Sequence, residues 1–177
     1  MSFDVNRMNY VGYGPNNDPE MIEAITGEPP IDVGRFALIL GAQLCVQRLE
    51  DVPDKSISPE LPSVRQILTN SWGEDSGFEA YALRSNIDGF VRGTPYVLSD
   101  EALPRIWEWE LTDLGWFVPR TITTVVPPGP TLVGTKTEII NSNQTVNRVV
   151  EDSINYPDFL MPKDWMLEKA RQARTKN

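Results

Sequence analysis

The sequence predicts an α+β protein: a small curved or barrel-like sheet, mixed or antiparallel, with short flanking helices. Three observations carry this. Strand-like runs rich in β-branched and aromatic residues follow one another mostly in hairpin order. Only three or four short stretches have helical apolar spacing. Fifteen prolines and 12 glycines in 177 residues punctuate the chain, as a fold with many tight connections requires. The length suits one domain over 1–177, with a core at about 8–140 and a C-terminal extension and helix at 141–177.

Met8 to Tyr13 reads as a short strand, thinned by Gly12. Gly14-Pro15-Asn16-Asn17 is a turn by residue type, and Asp18-Pro19 is a helix start, an N-cap followed by a proline at the first helical position. Met21, Ile22 and Ile25 give that helix an apolar stripe, and Gly27, Pro29 and Pro30 end it. Phe36 to Gln47 reads as a buried strand, although periodicity alone leaves a buried helix open. Leu49 to Pro62 is a polar loop, and Ser63 caps a helix reaching Ser71. Phe78–Leu83 and Gly89–Leu98 are expected to form a hairpin across Ser85–Asp88. A central helix should start at Ser99 or Asp100, with a kink or restart at Pro104. Trp116–Val126 and Thr131–Ile140 are strands separated by Pro127-Pro128-Gly129-Pro130. A last helix runs from Pro162 or Lys163 to about Arg174, acidic at its start and basic at its end, as its dipole favours.

Composition removes several function classes. No histidine is present, so Ser-His-Asp triads, Cys-His pairs and His-ligated zinc are impossible. Any proton transfer falls to Glu, Asp, Lys, Tyr, the amino terminus or the substrate. Cys45 is the only cysteine, so no intrachain disulfide can form; in its apolar run it reads as a buried thiol. A net charge of −9 argues against a nucleic-acid partner. No apolar run reaches the roughly 18 residues of a membrane-spanning helix. The first seven residues lack a signal pattern, so the expectation is a cytoplasmic protein with no membrane partner.

The stretch Gly93 to Phe117 poses the functional question. Its helix ends Trp107-Glu108-Trp109-Glu110-Leu111, and an acid in a last helical turn faces the negative end of the dipole. Residues two apart on a helix point about 200° from each other, so Glu108 and Glu110 cannot both face one site. One should face inward and one be solvated. Glu110 is then either an ordinary acid at a helix end or a base in a cavity, where burial raises its proton affinity toward the useful range. Arg84, Arg92 and Arg120 are candidates to hold a carboxylate, or else solvated strand residues.

Two segments together resemble the γ-glutamylcyclotransferase-like fold family. Tyr13-Gly14-Pro15-Asn16, followed by Asp18-Pro19-Glu20, stands where that family carries a Tyr-Gly-Ser-Asn turn after its first strand. Gly93, Tyr96, Ile106, Glu110 and Phe117 follow in the order of the family's later motif, and Leu40-Gly41-Ala42-Gln43-Leu44 is a weaker echo of its second strand. The resemblance covers about residues 8–126. It implies that the turn binds substrate, through Tyr13, Gly14, Pro15 and Asn16 with Phe117, and that Glu110 is the general base. The base would take a proton from the α-amine of a γ-glutamyl amine, amide or peptide. That amine then closes a lactam, giving 5-oxoproline and a free amine, with no metal or cofactor. Four positions depart from the pattern: Pro15 for Ser, Trp107 for Asp, Leu111 for Gly and Phe117 for Tyr. Pro15, Leu111 and Phe117 motivate an alternative, a non-catalytic small-molecule-binding or interaction module on the same fold. The expected partner is a small molecule with a γ-glutamyl-like group, and a homo-oligomer is compatible with the sequence.

Overall fold

The computed structural model describes residues 2–128 and 131–176. Seven strands, β1 (Tyr10–Gly12), β2 (Asp32–Val33), β3 (Ala37–Arg48), β4 (Glu79–Val97), β5 (Val118–Val126), β6 (Thr131–Ile139) and β7 (Arg148–Val149), combine with four α-helices. The helices are α1 (Pro19–Thr26), α2 (Val64–Trp72), α3 (Ala102–Trp109) and α4 (Lys163–Thr175). The sheet order is β2-β4-β1-β6-β5-β3-β7, and β3 also pairs with β4. That extra pairing closes β4, β1, β6, β5 and β3 into a five-stranded barrel, with β2 and β7 as additions. All pairings are antiparallel except β1 with β6, where Tyr10 lies opposite Lys136. The fold is therefore α+β, with the mixed, barrel-like sheet expected from the sequence.

Local chemistry explains the elements. Asp18 accepts a hydrogen bond from the Glu20 N–H, and Gly27 ends α1 in the left-handed conformation. Ser63 and Gln66 form a reciprocal capping box at α2. The Ser99 hydroxyl accepts from the Ala102 N–H, but α3 begins only at Ala102. Pro104 therefore lies in the first turn, where no intrahelical N–H is needed, and no kink forms.

The expected hairpin does not form. Phe78–Leu83 and Gly89–Leu98 belong to one long strand, β4, and both halves pair with β3. Ala42 lies opposite Ser85 whereas Leu40 lies opposite Phe90, so the residues between Ser85 and Phe90 bulge against Gly41. A side chain on Gly89 would collide with the Ala42 carbonyl; this glycine permits the bulge's close approach to β3 rather than a chain reversal.

The barrel interior is apolar, with Val11, Ile39, Leu44, Leu83 and Val91 fully buried. Outside it, Tyr10 and Tyr96 meet Met21 and Ile22 of α1, Ile106 of α3, and Leu167 and Ala170 of α4. Each large side chain buried there contributes about 1.5–3 kcal/mol. A third cluster, including Trp72, Phe78, Trp116, Phe117 and Met161, lies beside it. Arg92 fastens the chain after β7 by donating to the Ile154 and Tyr156 carbonyls and pairing with Asp158 at 2.9 Å.

Candidate active site

Two acids from distant parts of the chain meet at one amide. Glu110 caps the C-terminus of α3, and Leu111 after it is left-handed, with φ 50° and ψ 42°. This is the only left-handed non-glycine residue among those described. The reversal satisfies the helix end, since the Leu111 N–H donates to the Glu108 carbonyl and the Glu110 N–H to that of Ile106. Glu108 is exposed and Glu110 is buried, but the expectation that only one of them faces the site is not met, because both border the same cavity.

Glu138 comes from β6. Its neighbours Thr137 and Ile139 face the barrel side, so the alternation of the strand sends Glu138 to the helix side. There the Tyr10 hydroxyl donates to its carboxylate at 3.0 and 2.9 Å. Asn16 Nδ2 lies 3.2 Å from Glu110 Oε1, 3.2 Å from Glu138 Oε1 and 2.9 Å from the Tyr10 oxygen. The Tyr13 hydroxyl donates to the Glu138 carbonyl at 3.0 Å.

The electrostatics follow from this crowding. Burial, then the neighbouring charge of Glu138, pushes the Glu110 carboxyl well above the usual carboxylate range, against a lowering by Asn16. Burial pushes Glu138 to about 7, while hydrogen bonds from Tyr10 and Asn16 pull it down. Two carboxylates bonded to the same Asn16 amide disfavour joint ionisation, and burial disfavours the charged form of each. Tyr10 and Tyr13 are also pushed up, first by burial and then by Glu138, and remain neutral donors.

The pair borders a cavity of about 510 Å³. This lies within the roughly 300–1,000 Å³ of small-molecule sites. Tyr13, Pro15, Asn16, Glu110 and Phe117 all line it; Gly14 does not. Phe117 is buried against Trp116, with ring centroids 4.7 Å apart. The turn uses its donors internally. The Gly14 N–H donates to the Tyr156 hydroxyl at 3.2 Å, the Asn16 N–H to the Tyr13 carbonyl at 3.1 Å, and Pro15 has no N–H. What the turn offers the cavity is thus the Asn16 side chain. Gly12 makes this possible, because any Cβ there would collide with the Asn16 carbonyl. Among the described residues no group of three or more His, Cys, Asp or Glu side chains is arranged to hold a metal ion.

The three arginine candidates are engaged or exposed elsewhere. Arg84 donates to Gln43, Arg92 to the segment after β7, and Arg120 is exposed on β5; none lines the cavity. Sequence reasoning missed Glu138 and Tyr10. A signal for Glu138 did exist: a single acid enclosed by Thr137, Ile139 and Ile140 in a β-branched strand. It also missed the C-terminal wall, where Leu160, Met161 and Met166 line the cavity with residues of α4.

Barrel, helix-end acid and turn together define a protein with the γ-glutamylcyclotransferase-like fold. Among solved structures, a "Gamma-glutamyl cyclotransferase" superposes with a TM-score of 0.55 at 11% identity, covering 93% of this chain and 78% of that one. The uncharacterized protein loc79017 from Homo sapiens superposes with a TM-score of 0.53 at 13% identity, covering 81% and 72%. No protein-family model and no curated protein sequence matches the chain. Among the described residues no helix is long and apolar enough to cross a membrane.

Proposed function

We propose that this chain is a γ-glutamylcyclotransferase-like enzyme, which cyclises a γ-glutamyl amine, amide or peptide to 5-oxoproline and releases the amine. The observation that carries the reading is the buried pair Glu110 and Glu138, joined through Asn16 at the wall of a ligand-sized cavity. Lactam closure needs a proton removed from the attacking ammonium before it attacks, a second removed from the same nitrogen once the ring has formed, and one delivered to the leaving nitrogen. A pair that holds one proton and one negative charge serves all three transfers. Glu110 is the more accessible member, 9% exposed against 2% for Glu138, and is the one that meets substrate.

The substrate ammonium draws the charge of the pair to Glu110, which takes its proton. The freed amine attacks the γ-carbonyl, forming the ring C–N bond. The tetrahedral intermediate collapses with cleavage of the amide C–N bond as the proton returns to the departing nitrogen, and the regenerated Glu110 carboxylate takes the second proton of the ring nitrogen and passes it to the released amine or to water. Glu138, held by Tyr10 and Asn16, sets the charge of the pair and orients it. The substrate supplies its own nucleophile, which suits a chain without histidine. The test is 5-oxoproline release from γ-glutamyl amines by the wild type and Glu110→Gln. The expected loss in the variant is about 100-fold or more. No release by the wild type, or equal release by both, overturns the reading.

A further inference from the structure

We propose that the preferred acyl donor is a γ-aminobutanoyl amide, a γ-amino acid amide without the α-carboxylate of a γ-glutamyl group, whose leaving amine is apolar or aromatic. This rests on the cyclisation reading and ranks its substrates, with γ-glutamyl amides converted but less efficiently.

A γ-glutamyl group carries an ammonium and a carboxylate on the same carbon. Whatever places the ammonium against Glu110 also brings the carboxylate into the buried end of the cavity, where it needs donors or a positive charge. The site supplies little of either. The acidic pair itself bears negative charge and repels a second anion. The turn that could cradle an anion has its Gly14 and Asn16 N–H groups bonded within the fold, and Pro15 lacks one. The Asn16 amide is committed to the two glutamates and Tyr10. Among the described residues the only cations lining the cavity are Lys169 of α4 and Lys176 just past its end. Lys169 donates to the Ser71 carbonyl and lies 5.6 Å from the centroid of the Trp72 ring, and Lys176 is exposed. A lone ammonium, by contrast, matches the charge of the pair.

The wall is mixed: Asn70, Ser71 and Gln172 are neutral and polar, Glu79 and Glu108 add acids that a second carboxylate would meet, and Trp72, Phe78, Trp116, Met161 and Met166 form its apolar part. An aromatic or aliphatic amine leaving group is desolvated favourably there. In the reaction the γ-amine attacks the amide carbonyl, the ring C–N bond forms, the exocyclic C–N bond breaks, and the products are pyrrolidinone and the free amine. Atoms balance without a co-reactant, as in 5-oxoproline formation.

The experiment compares γ-aminobutanoyl para-nitroanilide with γ-glutamyl para-nitroanilide on the full chain. It follows para-nitroaniline by absorbance and the lactam by mass spectrometry, with Glu110→Gln as the background control. The expected result is a kcat/KM at least about tenfold higher for the γ-aminobutanoyl compound. Equal or greater efficiency with the γ-glutamyl compound overturns the substrate assignment and leaves cyclisation standing. Lactam formation from neither compound above the Glu110→Gln background overturns the cyclisation reading, and this assignment with it.

Discussion

Replacing Glu138 by Gln removes one carboxyl of the buried pair and keeps its shape, so the change isolates the cost of charging that site. Burial raises Glu138 from the ordinary 4.5 to about 7. Because the folded value lies above the unfolded one, the stability linked to this group is fully present below the unfolded value. It is lost as pH rises through the folded value. The rise from 4.5 to about 7 corresponds to roughly 3 kcal/mol lost by the wild type across that window. Glu110 adds to the loss in the same direction, raised first by its own burial and then by the charge of Glu138. With no histidine in the chain, no imidazole titrates between pH 5 and 8 to mask the effect. Urea unfolding at pH 5 and pH 8 reads it directly. The wild type should be less stable at pH 8 by at least about 3 kcal/mol, and Glu138→Gln should make that difference clearly smaller, leaving the part that comes from the burial of Glu110. If the two proteins lose the same stability between these pH values, the burial and coupling argued here are wrong.

Three other substitutions probe the frame of the site. Asn16→Leu leaves two buried carboxyl groups without their shared donor and should cost about 1–3 kcal/mol by urea unfolding, with the larger loss at pH 8. At Leu111, glycine relieves the left-handed backbone while surrendering a half-buried side chain, so Leu111→Gly should change stability by less than about 1 kcal/mol. The β-branched Leu111→Val should cost about 1–2 kcal/mol in the same assay, because the backbone conformation disfavours it strongly. Gly12→Ala places a Cβ against the Asn16 carbonyl and should cost several kcal/mol by thermal unfolding, about 3 or more. It should also reduce lactam release in the protein that still folds, since the turn carries Asn16.

The barrel was legible because its determinants are local. An apolar run marked β3 and strand-like runs on either side of a proline-rich break marked β5 and β6; Asp18 and Ser63 marked two helix starts; the Tyr13–Asn17 turn lay where a strand meets a helix. The long β4 strand was misread because Ser85 to Asp88 has the residue types of a turn. Whether such a stretch reverses the chain or bulges depends on β3, whose Gly41 lies opposite the bulge. Helical geometry anticipated that one of Glu108 and Glu110 is buried and the other exposed, but not that both border one cavity. The partner of Glu110 could not be found that way. Glu138 is 28 residues further on, and only the parallel pairing of β1 with β6 brings it beside Tyr10 and Asn16. Leu111 shows the converse: the expected glycine is absent, yet the left-handed turn forms, because helix-end hydrogen bonds and the apolar cluster around Trp116 offset the backbone cost.

The most direct measurement of the central claim follows the nitrogen. A γ-glutamyl amine isotopically labelled at the α-amine is given to the wild type and to Glu110→Gln. The account predicts that the wild type releases an unlabelled amine and a lactam carrying the label in its ring, at a rate about 100-fold or more above that of the variant. Labelled free glutamate in place of lactam, or equal rates from the two proteins, would contradict it.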